Sequence, residues 1–139
     1  MPRLARRVRS DDPLKYVLIA EDDPDIADLL QEAIADRLYV ATHVVANGAL
    51  VPDAVAARRP DLLILDLALP GLSGNDVLDI VRADPAHAGV PVLVLTASPH
   101  DAPSFAAHDP LRVMEKPFDL DALVGTIDAM VDGRLPAAA

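Results

Sequence analysis

The 139-residue chain contains no cysteine. Disulfides, thiolate catalysis and thiolate-bound zinc are therefore excluded, and several enzyme classes with them. A long hydrophobic run is missing too: Val90 to Ala97, the longest, covers eight residues and is interrupted by Pro91, against the roughly 18 to 20 that a membrane-spanning helix needs. The first ten residues carry Arg3, Arg6, Arg7 and Arg9, but neither the apolar core nor the small-residue cleavage site of a secretory signal. These absences point to a cytoplasmic protein without a membrane partner. Internal repeats and low-complexity tracts are lacking apart from Ala137 to Ala139. His43, His87, His100 and His108 are scattered without ligand spacing, so they are read as surface or loop residues with no assigned chemistry.

What is present is a hydrophobic fraction of 52%, enough to bury the core of one average domain. Charge is uneven. Residues 1 to 15 hold five basic and two acidic groups, and the remainder holds seven basic and twenty acidic ones. An acidic body repels nucleic-acid phosphates and membrane surfaces. DNA binding is thus not expected, and could come only from the arginine-rich leader, whose plainest reading is a flexible solvated tail. The expected organisation is a basic leader over 1–15, one domain over 16–133, and a tail over 134–139 too short for a second domain.

Along the chain, strand-like and helix-like segments alternate. Tyr16 to Ala20 is a short apolar run suited to a strand buried on both faces. Asp23 before Pro24 suits a helix cap, and Ile26, Leu29, Leu30, Ala33 and Ile34 form the stripe of an amphipathic helix. Tyr39–Val45, Leu62–Leu65, Pro91–Leu95 and Leu111–Met114 read as further strands, with helices expected over Ala49–Arg58, Asn75–Arg82 and Leu120–Val131. Between the fourth and fifth strands, Pro99, Pro103 and Pro110 leave room for only a short or irregular fourth helix. The pattern predicts a doubly wound α/β domain, a five-stranded parallel sheet with helices on both faces. Sites in such sheets form at the carboxyl ends of the strands.

Four of those ends carry polar groups: Glu21 and Asp22 after the first strand, Asp66 after the third, Thr96 after the fourth and Lys116 after the fifth. Three carboxylates within about 5 Å repel by roughly 3 kcal/mol per pair at an effective dielectric near 20, a poor arrangement for stability alone. A divalent cation removes the repulsion, and oxygen ligands without His or Cys suit Mg2+. Beside such a cation a carboxylate is a competent nucleophile toward a phosphoryl group. Asp66 takes that role, Lys116 supplies a second positive charge, and the Thr96 hydroxyl donates to a phosphoryl oxygen. Each piece has a plainer reading when taken alone, Asp22-Asp23 as a helix cap and Thr96 as a strand end. Their joint occurrence in order is what favours chemistry.

The runs VLIAEDDPDI (17 to 26), PDLLILDLALPGLSG (60 to 74), VPVLVLTAS (90 to 98) and EKPF (115 to 118) closely resemble the receiver domains of bacterial two-component response regulators. The resemblance covers residues 16 to 132 and implies the flavodoxin-like receiver fold. It further implies that Asp22 binds the metal directly, that Glu21 acts through water, that Asp66 is both phosphoacceptor and ligand, and that the Ala68 backbone carbonyl completes the metal shell. A cis Lys116–Pro117 bond is implied as well. The implied partners are a sensor histidine kinase or phosphotransfer protein upstream and an unidentified protein downstream, with a homodimer as a further option. The chain would catalyse its own aspartyl phosphorylation and dephosphorylation.

Three departures from the family pattern stand out. Val113 occupies the position three before the lysine where an aromatic is common, the Thr96 to Lys116 spacing is about two residues short, and the fourth helix is broken by prolines. Switching is therefore expected through rearrangement of Ser98 to Asp109. Ala68 and Ser98 occupy positions that tune phosphoryl lifetime, and Ala68 cannot orient water. Rival readings are a receiver-like interaction module that is never phosphorylated, a transcription factor acting through the leader, and a phosphohydrolase with an aspartyl nucleophile. The last needs a second Asp two residues after the first, where this chain has Ala68.

Overall fold

The computed structural model describes residues 14–97 and 108–133. Five strands, β1 (Lys15–Ala20), β2 (Val40–Val45), β3 (Leu62–Asp66), β4 (Val92–Thr96) and β5 (Leu111–Glu115), form one sheet in the order β2-β1-β3-β4-β5. Every neighbouring pair is parallel. Four helices accompany them among the described residues: α1 (Pro24–Arg37), α2 (Val51–Ala57), α3 (Gly74–Ala83) and α4 (Leu120–Val131).

Strand periodicity sorts the core into two layers. Tyr16, Leu18, Leu63, Leu65, Val92 and Val94 face one side and pack with Val51 and Val55 of α2 and Val77, Leu78 and Val81 of α3. Val17, Ile19, Leu62, Ile64, Leu93 and Leu95 face the other and meet Leu30 and Ile34 of α1 with Leu123, Ile127 and Met130 of α4. Because the three central strands are buried on both faces, their sequences are continuous apolar runs rather than alternating ones. Each fully buried Leu, Ile or Val contributes roughly 1.5–3 kcal/mol.

The helices start where local chemistry predicts. The Asp23 side chain accepts from the backbone N–H groups of Asp25 and Ile26, Ser73 accepts from Asp76, and Asp119 accepts from Ala122. Each satisfies a donor that an open first turn would leave unpaired. The second helix departs from expectation: residues 48–50 form a 3-10 turn capped by Asn47, and the α-helix proper begins only at Val51. The expected fourth helix falls almost wholly on residues 98–107, outside the described residues, as do His100, Ser98, most of the leader and the tail.

Strand order reverses between β1 and β3, which both neighbour each other while their connections leave in opposite directions. This is the place where parallel α/β sheets open a crevice at their carboxyl edge. Glu21 and Asp66 stand on its two sides. Lys116–Pro117 is cis as expected, and Asp109–Pro110, for which no expectation was raised, is cis as well.

Candidate functional site

Ladder hydrogen bonds continue past the strand ends and hold the site residues in place. The Glu21 N–H donates to the Val45 carbonyl at 3.0 Å, Leu67 to Leu95 at 3.2 Å, and Lys116 to Thr96 at 2.8 Å. The residue after each apolar run thus inherits the register of the sheet. Glu21, Asp66 and Thr96 are buried, while Asp22 and Ala68 are exposed.

Three carboxylates converge. Glu21, Asp22 and Asp66 each offer an oxygen, and these oxygens lie within 4.8 Å of one another. Lys116 Nζ donates to Asp66 Oδ2 at 2.9 Å and lies 3.8 Å from Glu21 Oε1. The other oxygen of Asp66, Oδ1, accepts from the Ala68 N–H at 2.9 Å, and Glu21 Oε2 accepts from the Asp22 N–H at 3.1 Å. Glu21 Oε1 is buried without a hydrogen-bond partner among the described residues. A buried carboxylate oxygen left unpaired costs free energy unless something binds it.

The electrostatics divide the two buried acids. Burial, followed by the adjoining Asp66 carboxylate, pushes the Glu21 carboxyl up to about 8. For Asp66, burial is the largest single influence and would raise it. The Glu21 carboxyl, the Ala68 amide and the Lys116 ammonium together outweigh burial and hold Asp66 below the ordinary carboxylate range. Asp66 is the charged member of the pair and Glu21 the protonated one at neutral pH. An all-oxygen donor set with one buried oxygen unclaimed fits a hard divalent cation.

Glu21, Asp22, Asp66, Ala68, Thr96 and Lys116 all stand at one edge of the sheet. Thr96 sits at the end of β4, where its carbonyl receives the Lys116 amide. Val113 packs against the α2/α3 side of the core, so no aromatic ring occupies that place. The sequence reading passed over Asn47 and Gly48. The Gly48 N–H donates to the Pro70 carbonyl at 2.9 Å, and a Cβ at Gly48 would stand 2.4 Å from the Leu72 carbonyl oxygen. This turn braces the loop that carries Ala68, and the Asn-Gly dipeptide was its available signal.

The described histidines stand on the surface or in loops, as expected. His43 is exposed, on strand β2. His87 and His108 sit in connecting segments, yet their side chains are only 13% exposed. Their Nδ1 and Nε2 atoms lie 3.3 Å from Asp84 and 3.2 Å from Asp79 respectively. Both are remote in sequence from the carboxylates and belong to a separate cluster.

Residues 17–128 match the sequence model of the response regulator receiver domain. Among curated proteins, the DNA-binding response regulator MtrA of Mycolicibacterium smegmatis is 41% identical over 81 residues, covering 58% of this chain and 34% of that protein. The nitrogen assimilation regulatory protein NtrX of Azorhizobium caulinodans is 38% identical over 113 residues, 78% of this chain and 24% of its own length. The chain therefore spans about a third or less of these relatives. Among solved structures, the phosphorylated cyanobacterial phytochrome response regulator RcpA superposes with a TM-score of 0.74 at 26% identity, covering 91% of this chain and 98% of that one. No helix among the described residues is long and apolar enough to cross a membrane.

Proposed function

Because the chain belongs to the response regulator receiver domain family, we propose that it is a phosphorylation switch of two-component signalling whose phosphoryl acceptor is Asp66. The observation that carries this reading is the setting of that carboxylate: buried, ionised, 2.9 Å from the Lys116 ammonium and grouped with Glu21 and Asp22.

Mg2+ is the cation that this donor set favours, and Asp22, Asp66, Glu21 and the Ala68 backbone carbonyl would hold it. When bound, it supplies positive charge that offsets the phosphoryl oxygens during in-line transfer. One Asp66 oxygen forms the new bond to phosphorus while the bond from phosphorus to the donor breaks, and the electron pair leaves with the donor. Lys116 keeps Asp66 ionised and oriented, and its ammonium balances charge that gathers on the phosphoryl group. The Thr96 hydroxyl donates to a phosphoryl oxygen once the group is in place.

The donor in this reading is a sensor histidine kinase or a phosphotransfer protein in the cytoplasm, and the output is a contact with a downstream protein. DNA contact is not part of it, since the body of the chain is acidic. Incubation with Mg2+ and a small phosphodonor, followed by intact-mass measurement, should add one phosphoryl group to the native chain and none to Asp66→Asn. Equal labelling of both, or of neither, defeats the reading.

A further inference from the structure

Beside the acceptor site lies a largely apolar cavity of about 510 Å3 lined by Ile26 and Leu29 of α1, Ala97 after β4, and Lys116, Pro117 and Phe118 after β5. Only Lys116 is shared with the chemistry described above. Leu29 stands at the rim with 44% of its surface exposed. An exposed leucine over an apolar hollow is a contact surface without its contact.

The outward face of α1 continues this surface as a row of negative charge. Asp25, Asp28, Glu32 and Asp36 recur three or four residues apart, share the face of Leu29, and are all exposed. The opposite face buries Ala27, Leu30, Ala33 and Ile34. Arg37, the one cation of this helix, already pairs with Asp121. With 14 residues the helix is about 21 Å long, and it runs from the cavity back toward the end of the sheet where β1 begins.

Residues 1–13 precede β1 in sequence, and ahead of Asp11 and Asp12 their first nine residues carry the complement. Arg3, Arg6, Arg7 and Arg9 surround Leu4 and Val8, which are four residues apart. Extended, the ten residues from Leu14 back to Leu4 reach about 33 Å, against the roughly 20 Å occupied by β1. We propose that this leader docks on the acidic face of α1, with its arginines along Asp25, Asp28, Glu32 and Asp36 and Leu4 and Val8 at the cavity. Tethering gives the leader an effective concentration near the millimolar range, and opposite charge draws it to this helix face. A second copy of the chain or a basic segment of another protein would have to displace it. The docking stands independently of the phosphorylation reading.

Since the chain has no cysteine, Ser10→Cys provides a single thiol for a nitroxide label in the full chain. Amide spectra should then show intensities reduced at least twofold at Ile26, Leu29, Glu32 and Phe118, with Leu50 and Ile80 unaffected. The same chain carrying Arg→Gln at positions 3, 6, 7 and 9 should lose the effect, and a mixture of labelled, isotope-free chain with unlabelled, 15N chain should show none. Uniform intensities along α1, persistence in the glutamine variant, or equal broadening in the mixture would each overturn the proposal, the last by making a second copy the occupant.

Discussion

Lys116 meets Asp66 across 50 residues of sequence, Nζ to Oδ2 at 2.9 Å. The sheet brings this about: the Lys116 amide is tied to Thr96 on β4, and β4 pairs with β3, whose last residue is Asp66. The same ammonium is the nearest cation to Glu21. One positive charge therefore serves a cluster of three acids.

Replacing Lys116 with Met should leave that cluster uncompensated. The metal-free chain is expected to lose about 1–3 kcal/mol of stability in urea unfolding, and Asp66 phosphorylation by a small donor should slow at least tenfold. Mg2+ affinity, followed by titration, should not fall, because a competing cation has gone. A native phosphorylation rate would remove Lys116 from the chemistry.

Glu21 makes stability depend on pH. Its folded value of about 8 lies above the ordinary 4.5, so the folded state binds the proton more tightly than the unfolded one. That contribution is complete below about pH 4.5 and is lost as pH rises through 8. Metal-free protein should weaken across this window, and Glu21→Gln should flatten the slope and stabilise the chain by about 1–3 kcal/mol at pH 8. Asp66, shifted downward, acts with opposite sign and only in acid, where stability falls as it is protonated. Urea midpoints measured from pH 5 to 9 without metal decide the matter; an unchanged slope in the variant would assign it elsewhere.

The candidate site residues were legible in the sequence because each stands within two residues of the end of an apolar run, and a parallel sheet gathers run ends at one edge. Leu120–Val131 has the bounds its stripe predicts, and Asp23 and Pro24 mark the start of α1. What stayed hidden depends on loops that meet only after folding. The 3-10 entry to α2 arises from a bond between Leu50 and Asn47 with Pro52 just beyond. His87 and His108 are the loop residues they were read as, but their cover and their facing carboxylates went unread. No local pattern announces such contacts.

Arg82 is the strongest example. From α3 it donates to the carbonyls of His108 at 2.8 Å, Val90 at 2.7 Å, Pro110 at 3.1 Å and His87 at 3.4 Å. A single guanidinium thereby ties the entrances of β4 and β5 to the helix, at the edge opposite the carboxylates. Arg82→Met should destabilise the fold by about 2–4 kcal/mol, and Arg82→Lys should recover less than half of that, since an ammonium cannot reproduce the planar fork. At low temperature both variants should bind Mg2+ like the native chain. Loss of metal binding in folded variants would instead couple this clamp to the site.

Ala68 sets the lifetime of the phosphorylated state in this reading. Its amide supports Asp66 Oδ1, while its methyl side chain is exposed at the mouth of the site and can neither accept from nor donate to a water. Hydrolysis of an acyl phosphate needs water held in line with the bond that breaks. Ala68→Asn adds an amide at that place without charge, so phosphate loss should accelerate, by about threefold to tenfold if the gain is one hydrogen bond of roughly 1 kcal/mol. Decay of the phosphorylated mass after donor removal measures this directly. An unchanged decay would mean that water reaches phosphorus from a side that Ala68 does not face.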